Sequence, residues 1–297
     1  MYTIDNEIQI RLTAIKWLEE QKAIFGKTLP RKLLENGFIF NGERITLIGA
    51  RGIWKPKQMV LPISITTSPN SPYNDDLEGP CVLYKYRGTD PNHSDNKGLR
   101  EIMKRNLPLI YFIGTSPGNY YVESPVFIRG ENRELLSFRV VGQEFKDKSE
   151  EEILQVSERE IEQKYSFSTI KKRLHQPVFS ERVMYAYNYQ CTMCRLKHRE
   201  LLEAAHIIPD SEGGEPIVPN GLSLCKIHHA AYDKKIIGIS PDYTIKVRED
   251  ILRETDGPML KHGIQELDNH KIILPYHKKD WPDPERLEER FQAFKLV

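Results

Sequence analysis

Three cysteines and one histidine constrain this chain more than any other feature. Cys191-Thr-Met-Cys194 is followed by Cys225-Lys-Ile-His228, two pairs of metal-seeking side chains with two residues between the partners of each pair. That spacing lets a tight turn or a helical turn aim both members of a pair at one ion. Four such donors make a closed tetrahedral site, the arrangement in which Zn2+ serves structure because no position is left for water. Cys81, the remaining cysteine of the four, stands alone. Clustering of this kind favours a metal over disulfides in an intracellular chain.

A chain of 297 residues accommodates two domains of ordinary size. No apolar run approaches the ~20 residues needed to span a bilayer, and "MYTIDNEIQI" lacks the basic-then-apolar layout of a signal peptide, so the expectation is a cytoplasmic protein without a membrane segment. The formal net charge of +1 argues against a protein coated in positive charge and leaves room for a local basic face. Residues 5–25 place Ile8, Ile10, Leu12, Ile15, Leu18 and Ile24 at roughly helical spacing, which predicts an amphipathic helix ended by Gly26. From Arg44 to about Val141 short β-rich runs follow one another, with a helix expected over "DNKGLREIMKRN". The charged stretch Glu144 to Leu174 reads as a connecting helix, and "WPDPERLEERFQAF" as a proline-led helix capped by Asp283.

Between the two ligand pairs, "LLEAAHIIPDSEGGEPIVPNGLSL" has the form strand, Gly-rich turn, strand, and a helix begins near Cys225. His206 lies on the first strand, Asn220 in the turn before the second, and His229 directly after the last zinc ligand. In order they spell H, N, H. Here the sequence resembles the HNH nucleases, whose ββα-metal hairpin holds a divalent ion against a scissile phosphate, and in particular the bacterial branch clamped by a Cys-x-x-Cys/Cys-x-x-His zinc. The resemblance implies His206 as the base that activates water, Asn220 as the brace of its loop, and His229 as a ligand of Mg2+ or Mn2+. Many members carry Asp or His immediately before the base as a second metal ligand, and Ala205 occupies that place here. Asp233, one helical turn after His229, is a candidate to supply or orient a ligand; Glu203, two residues before Ala205, is another.

In the N-terminal half, "SPYNDDLEGPCVLYKYRGTDPNHSDNKGLR" combines Tyr73, Asp76, a tyrosine-bearing strand and Asp95-Asn96. This pattern resembles the SRA domains, PUA-like curved β-barrels that flip a modified cytosine out of duplex DNA. The likeness implies a pocket in which Tyr73 and Tyr84 or Tyr86 stack on the base and Asp76 accepts from its exocyclic amine, with Trp54 and Asp95 nearby. Tyr84 and Tyr86 share one strand face, so the sequence does not choose between them.

The expectation is therefore an α+β chain: an SRA/PUA-like curved β-barrel domain with helices at 1–145, a helical linker at 146–175, and a ββα-metal (HNH) domain with a structural zinc at 176–297. It implies an endonuclease acting on double-stranded DNA that carries a modified base, 5-methylcytosine or a derivative, with a homodimer as one route to double-strand cleavage. The competing expectations are a nicking or homing-type HNH nuclease indifferent to modification, a non-catalytic zinc-stabilised DNA-binding protein, and a PUA-like RNA binder.

Overall fold

The computed structural model describes residues 4–68, 77–78, 81–142, 167–255 and 257–296. The chain divides into two compact units, Met1–Leu174 and His175–Val297. Among the described residues no helix is long and apolar enough to cross a membrane.

The first unit opens with helix α1 (Ile4–Phe25), followed by strand β1 (Thr28–Pro30), the short helix α2 (Arg31–Asn36) and the hairpin β2 (Phe38–Phe40) and β3 (Glu43–Ile45). Phe40 pairs directly with Glu43, so Asn41 and Gly42 form a two-residue turn, and both have positive φ, 48° and 80°. An Asn-Gly pair enters that region at low cost, and its twist matches that of the flanking strands. Then come β4 (Ile53–Trp54), β5 (Ser64–Thr67), β6 (Leu77–Glu78), β7 (Cys81–Lys85), α3 (Ser94–Lys104), β8 (Leu109–Ser116), β9 (Asn119–Asn132) and β10 (Ser137–Gly142). They make one sheet in the order β4-β5-β8-β9-β10-β7-β6, with β1 added against β9. Only β5 and β8 run parallel among the described pairings. Register shifts interrupt β8–β9 twice and β9–β10 once, and bulges of this kind raise local twist, which curls the sheet towards a half-barrel.

Helix α1 exists as sequence periodicity requires, but its buried stripe differs from the expected one. Ile10, Ala14 and Leu18 are fully buried against Leu29, Ile110, Phe112 and Val122, whereas Leu12 and Ile24 are exposed. The stripe is completed by two charged residues, Glu7 and Arg11, each 1% exposed. Arg11 Nη1 donates to the Pro108 carbonyl at 2.9 Å and Nη2 to the Pro62 carbonyl at 2.5 Å, while Glu7 Oε1 accepts from the Val60 N–H. These carbonyls stand just ahead of β5 and β8, so the buried pair ties α1 to the entry of the two parallel strands. Burial lowers the Arg11 pKa to about 10, with the Glu7 carboxylate opposing the fall.

The second unit contains the end of α4 (Phe167–Ala186), β11 (Leu202–His206), β12 (Gly221–Cys225), α5 (Lys226–Asp233), β13 (Ile237–Ile239), β14 (Ile245–Val247), α6 (Glu249–Arg253), α7 (Pro258–Gly263) and α8 (Pro284–Lys295). The expected linker at 146–175 falls largely outside the described residues; from Phe167 the chain is helical. Phe179 and Val183 of α4 and Tyr187 just after it pack with Leu202 and Ala205 of β11, Leu222 and Leu224 of β12, Tyr232 of α5 and Leu287 of α8 in one core. Asp283 caps α8, its Oδ1 accepting from the Glu285 N–H at 2.9 Å, as the Asp-Pro start implies.

Arg11→Ala should lower the stability of the first unit by about 3–5 kcal/mol, because it strands a buried carboxylate and two carbonyls. Urea unfolding checks this, and adding Glu7→Gln, which removes the stranded charge and keeps an acceptor for the Val60 N–H, should recover part of the loss.

Candidate active site and metal centre

The antiparallel pair β11–β12 sets the frame. Its register places Leu202 opposite Cys225 and His206 opposite Gly221, and α5 starts at once from Cys225. The first ligand pair sits in a tight turn: the Arg195 N–H donates to the Cys191 carbonyl at 3.0 Å, and Arg195 takes a φ of 63°. The Thr192 N–H donates to the Ser223 carbonyl at 2.8 Å, which fastens that turn to β12.

The donor atoms of Cys191, Cys194, Cys225 and His228 all lie within 4.8 Å of one another, and no other group of three or more His, Cys, Asp or Glu donors converges in this way among the described residues. His228 Nδ1 is 3.2 Å from Cys225 Sγ and 3.4 Å from Cys191 Sγ, and the Cys194 and Cys225 sulfurs are 4.0 Å apart. Tetrahedral Zn2+, with bonds of ~2.3 Å to sulfur and ~2.0 Å to nitrogen, would space its ligands by roughly 3.5–3.8 Å. The donor set therefore fits a metal such as zinc. His228 Nε2 lies 2.7 Å from the Gly263 carbonyl, so it carries the proton and leaves Nδ1 for the ion. Hydrogen bonds from Cys191 and Cys194, with His228, hold the Cys225 thiol far below its ordinary range.

On the other side of the hairpin, His206 closes β11 with its ring stacked on Phe179, centroids 4.0 Å apart and planes 15° apart. Gly221 makes this stacking feasible: a Cβ there would meet Val183 Cγ2 at 2.4 Å and the Phe179 ring at 2.9 Å. Burial pushes the His206 imidazole below its ordinary 6.5; Asp210 opposes, His229 adds to the fall and Asp233 opposes. Asn220 is completely buried. Its Oδ1 accepts from the Ile208 N–H at 2.9 Å, and its Nδ2 donates to the Ile208 and Glu215 carbonyls at 3.0 and 2.9 Å. One side chain thus locks the chain leaving His206 to the turn that returns to β12.

His229 lies between two carboxylates. Glu203 Oε2 is 2.7 Å from its Nδ1, and Asp233 Oδ2 is 3.4 Å from its Nε2. Arg290 of α8 reaches Asp233 Oδ1 at 3.4 Å while its guanidinium lies over the Tyr232 ring, 5.0 Å from the centroid. Ala205 is fully buried in the core. Sequence spacing offered both Asp233 and Glu203 as candidates; that Glu203 meets His229 depends on how β11 lies against α5, and neither the Phe179 stack nor Arg290 left a local signal.

In the N-terminal unit, Tyr73 and Asp76 fall outside the described residues. A concavity of about 320 Å³ is lined by Ala50, Arg51, Gly52, Ile53 and the run Tyr84 to Arg87. Tyr84 and Tyr86 both border it, in different ways. The Tyr84 hydroxyl donates to the Thr66 carbonyl at 3.3 Å beside Gly52. The Tyr86 hydroxyl binds Glu131, a carboxyl raised by burial and paired with Arg100 at 2.7 Å. Asp95 pairs with Arg87. Trp54 is not part of the lining; its indole N–H donates to the Thr46 carbonyl at 3.1 Å and its ring covers Gly49.

Residues 191–240 match the family model described as HNH endonuclease. Among solved structures, the chain is similar to a modification dependent TagI restriction endonuclease, with 14% identity, 78% of this chain and 81% of that chain covered, and a TM-score of 0.31. It is also similar to the type IV phosphorothioation-dependent restriction endonuclease ScoMcrA, with 14% identity, 57% of this chain and 45% of that chain covered, and a TM-score of 0.22. No curated protein matches significantly. The match at residues 191–240 spans both ligand pairs, His206, Asn220 and His229, and the chain accordingly carries an HNH endonuclease domain and is a nuclease of that type.

Proposed function

We propose that this chain is a DNA endonuclease of the restriction type, in which the N-terminal unit recognises a modified base and the C-terminal unit hydrolyses a phosphodiester bond. The observation that carries the reading is that one β11–β12–α5 unit holds His206 at the end of its first strand, His229 in its helix and Asn220 as the brace of the loop that joins its strands. His206 takes the proton of the attacking water. Stacking on Phe179 and burial keep its ring neutral and oriented, so the base form is present at neutral pH.

The His229 imidazole, with a carboxylate beside each ring nitrogen, suits a hard divalent cation such as Mg2+ or Mn2+ bound by the ring and one of those carboxylates. Such an ion, when bound, supplies charge neutralisation at the phosphate and the leaving oxygen. His229 holds the ion from α5, and Asp233 stands one turn further along the same helix. The separate Cys191, Cys194, Cys225 and His228 set holds zinc and contributes folding energy.

For the N-terminal unit, the concavity of about 320 Å³ offers two tyrosines beside Arg51, Lys85 and Arg87, which suits a base with its attached phosphates. A pocket of this size is at the lower end of small-ligand sites and is large enough for one nucleobase. The SRA-like assignment, with Tyr73 and Asp76 completing the pocket, follows from the sequence resemblance.

Four outcomes check this reading. His206→Ala should cut metal-dependent cleavage of plasmid DNA by about 10²–10⁴-fold while the protein stays folded; undiminished nicking would remove His206 from the mechanism. Because the His206 pKa is lowered in the folded state, its neutral form persists to lower pH, so the acid limb of kcat/KM should have its midpoint below 6.5, and Phe179→Leu should move it upward. Asn220→Ala should cost about 3 kcal/mol by leaving three main-chain groups unpaired, read by thermal or urea unfolding. Digestion of matched substrates with cytosine, 5-methylcytosine, 5-hydroxymethylcytosine, its glucosylated form or N6-methyladenine tests the reader: equal cutting of all five would reduce the protein to a modification-indifferent nuclease.

A further inference from the structure

The two carboxylates beside His229 cannot play the same part. They address opposite ring nitrogens, Glu203 at Nδ1 (2.7 Å) and Asp233 at Nε2 (3.4 Å). An imidazole gives one nitrogen to a given ion and donates its other N–H to an outer partner, commonly a carboxylate that fixes the ring and raises its basicity. One carboxylate is therefore a companion ligand and the other an orienting acceptor.

Three observations decide which is which. First, Asp233 is already engaged: its second oxygen is 3.4 Å from Arg290, which is only 15% exposed and rests on the Tyr232 ring. Arg290 is fixed from below, since α8 is anchored by the buried Leu287 and by Phe294 lying on Gly238. A carboxylate held by an arginine is oriented and partly neutralised, which suits an outer acceptor better than a ligand. Second, Asp233 and His229 are one turn apart on the same helix, so their relation is set before any ion arrives. Third, Ala205 is fully buried, so β11 offers no ligand at the position immediately before His206. Glu203, on the same strand, is 45% exposed and reaches His229 from across the β11–α5 junction, where an ion held between strand and helix would lie.

Resting on the reading of His229 as the cation's ligand, we propose that Glu203 supplies the carboxylate absent at Ala205 and binds the catalytic cation together with His229 Nδ1. Asp233, held by Arg290, is a positioning residue that accepts the His229 Nε2–H. The C-terminal helix α8, which lies beyond the segment matched by the HNH family model, is thereby part of the nuclease site through Arg290.

The test uses the full-length, zinc-loaded protein and metal binding as the readout. Mn2+ titration followed by electron paramagnetic resonance should give one Mn2+ site in the wild type, weakened more than tenfold in Glu203→Gln. Ligand exchange then separates the roles. Glu203→Cys should bind one additional Cd2+ with a thiolate-to-cadmium absorption band in the difference spectrum against wild type, and Asp233→Cys should give no such band. A band from Asp233→Cys, from both variants, or from neither while the wild type still binds Mn2+ overturns the assignment of Glu203. Absence of any Mn2+ site in the wild type, or a site unaffected by His229→Ala, overturns instead the reading of His229 on which it rests.

Discussion

The junction between β12 and α5 is held by a four-donor clamp, and the C-terminal unit depends on it. Cys225 ends the strand and takes the N-cap position of the helix, so an ion shared by Cys225, His228 and the Cys191–Cys194 turn would fix the direction in which α5 leaves the sheet. The Gly263 carbonyl fixes the His228 ring from the far side. With that direction set, the next residue of the helix is turned by ~100° and faces elsewhere. His229 consequently addresses Glu203 and Asp233 while His228 is buried among sulfurs. Two adjacent histidines of the same chemistry are separated into two environments by helical geometry alone.

The other members of the site are positioned by packing. His206 stands at the last pair of the β11–β12 ladder, opposite a glycine whose missing side chain admits the Phe179 ring. Asn220 closes the loop with three hydrogen bonds from a single buried amide, the most economical brace available to a segment with no secondary structure of its own. The same principle governs the first unit, where Arg11 satisfies the carbonyls of Pro62 and Pro108 in a position that an apolar helix face would have left unpaired.

Legibility in the sequence followed the range of the interaction. The metal set was readable because each pair is separated by two residues, and His206, Asn220 and His229 because they lie in fixed order between and beside those pairs. Asp233 was readable as a neighbour of His229 because it is one turn along the same helix. Glu203 was a candidate through its place two residues before Ala205, but its contact with His229 spans 26 positions, and Phe179 and Arg290 reach the site across 27 and 57, through sheet register and tertiary packing that local spacing does not encode. In α1 the burial of Glu7 and Arg11 as a pair moves the stripe away from Leu12 and Ile24, which helical spacing of apolar residues alone places on it. The indole of Trp54, expected near the base pocket, is assigned to packing by its bond to Thr46 and its cover of Gly49.

The central claim is that His228 and His229 serve different metals, and parallel alanine replacements with measured zinc content, circular dichroism and DNA cleavage test it most directly. The account predicts that His228→Ala loses zinc and the fold of the C-terminal unit. His229→Ala should keep one zinc per chain and a native spectrum, still bind DNA, and cleave about a thousandfold more slowly, the rate equivalent of several kcal/mol. Loss of zinc from both variants, or retention of zinc with full activity in His229→Ala, would contradict it.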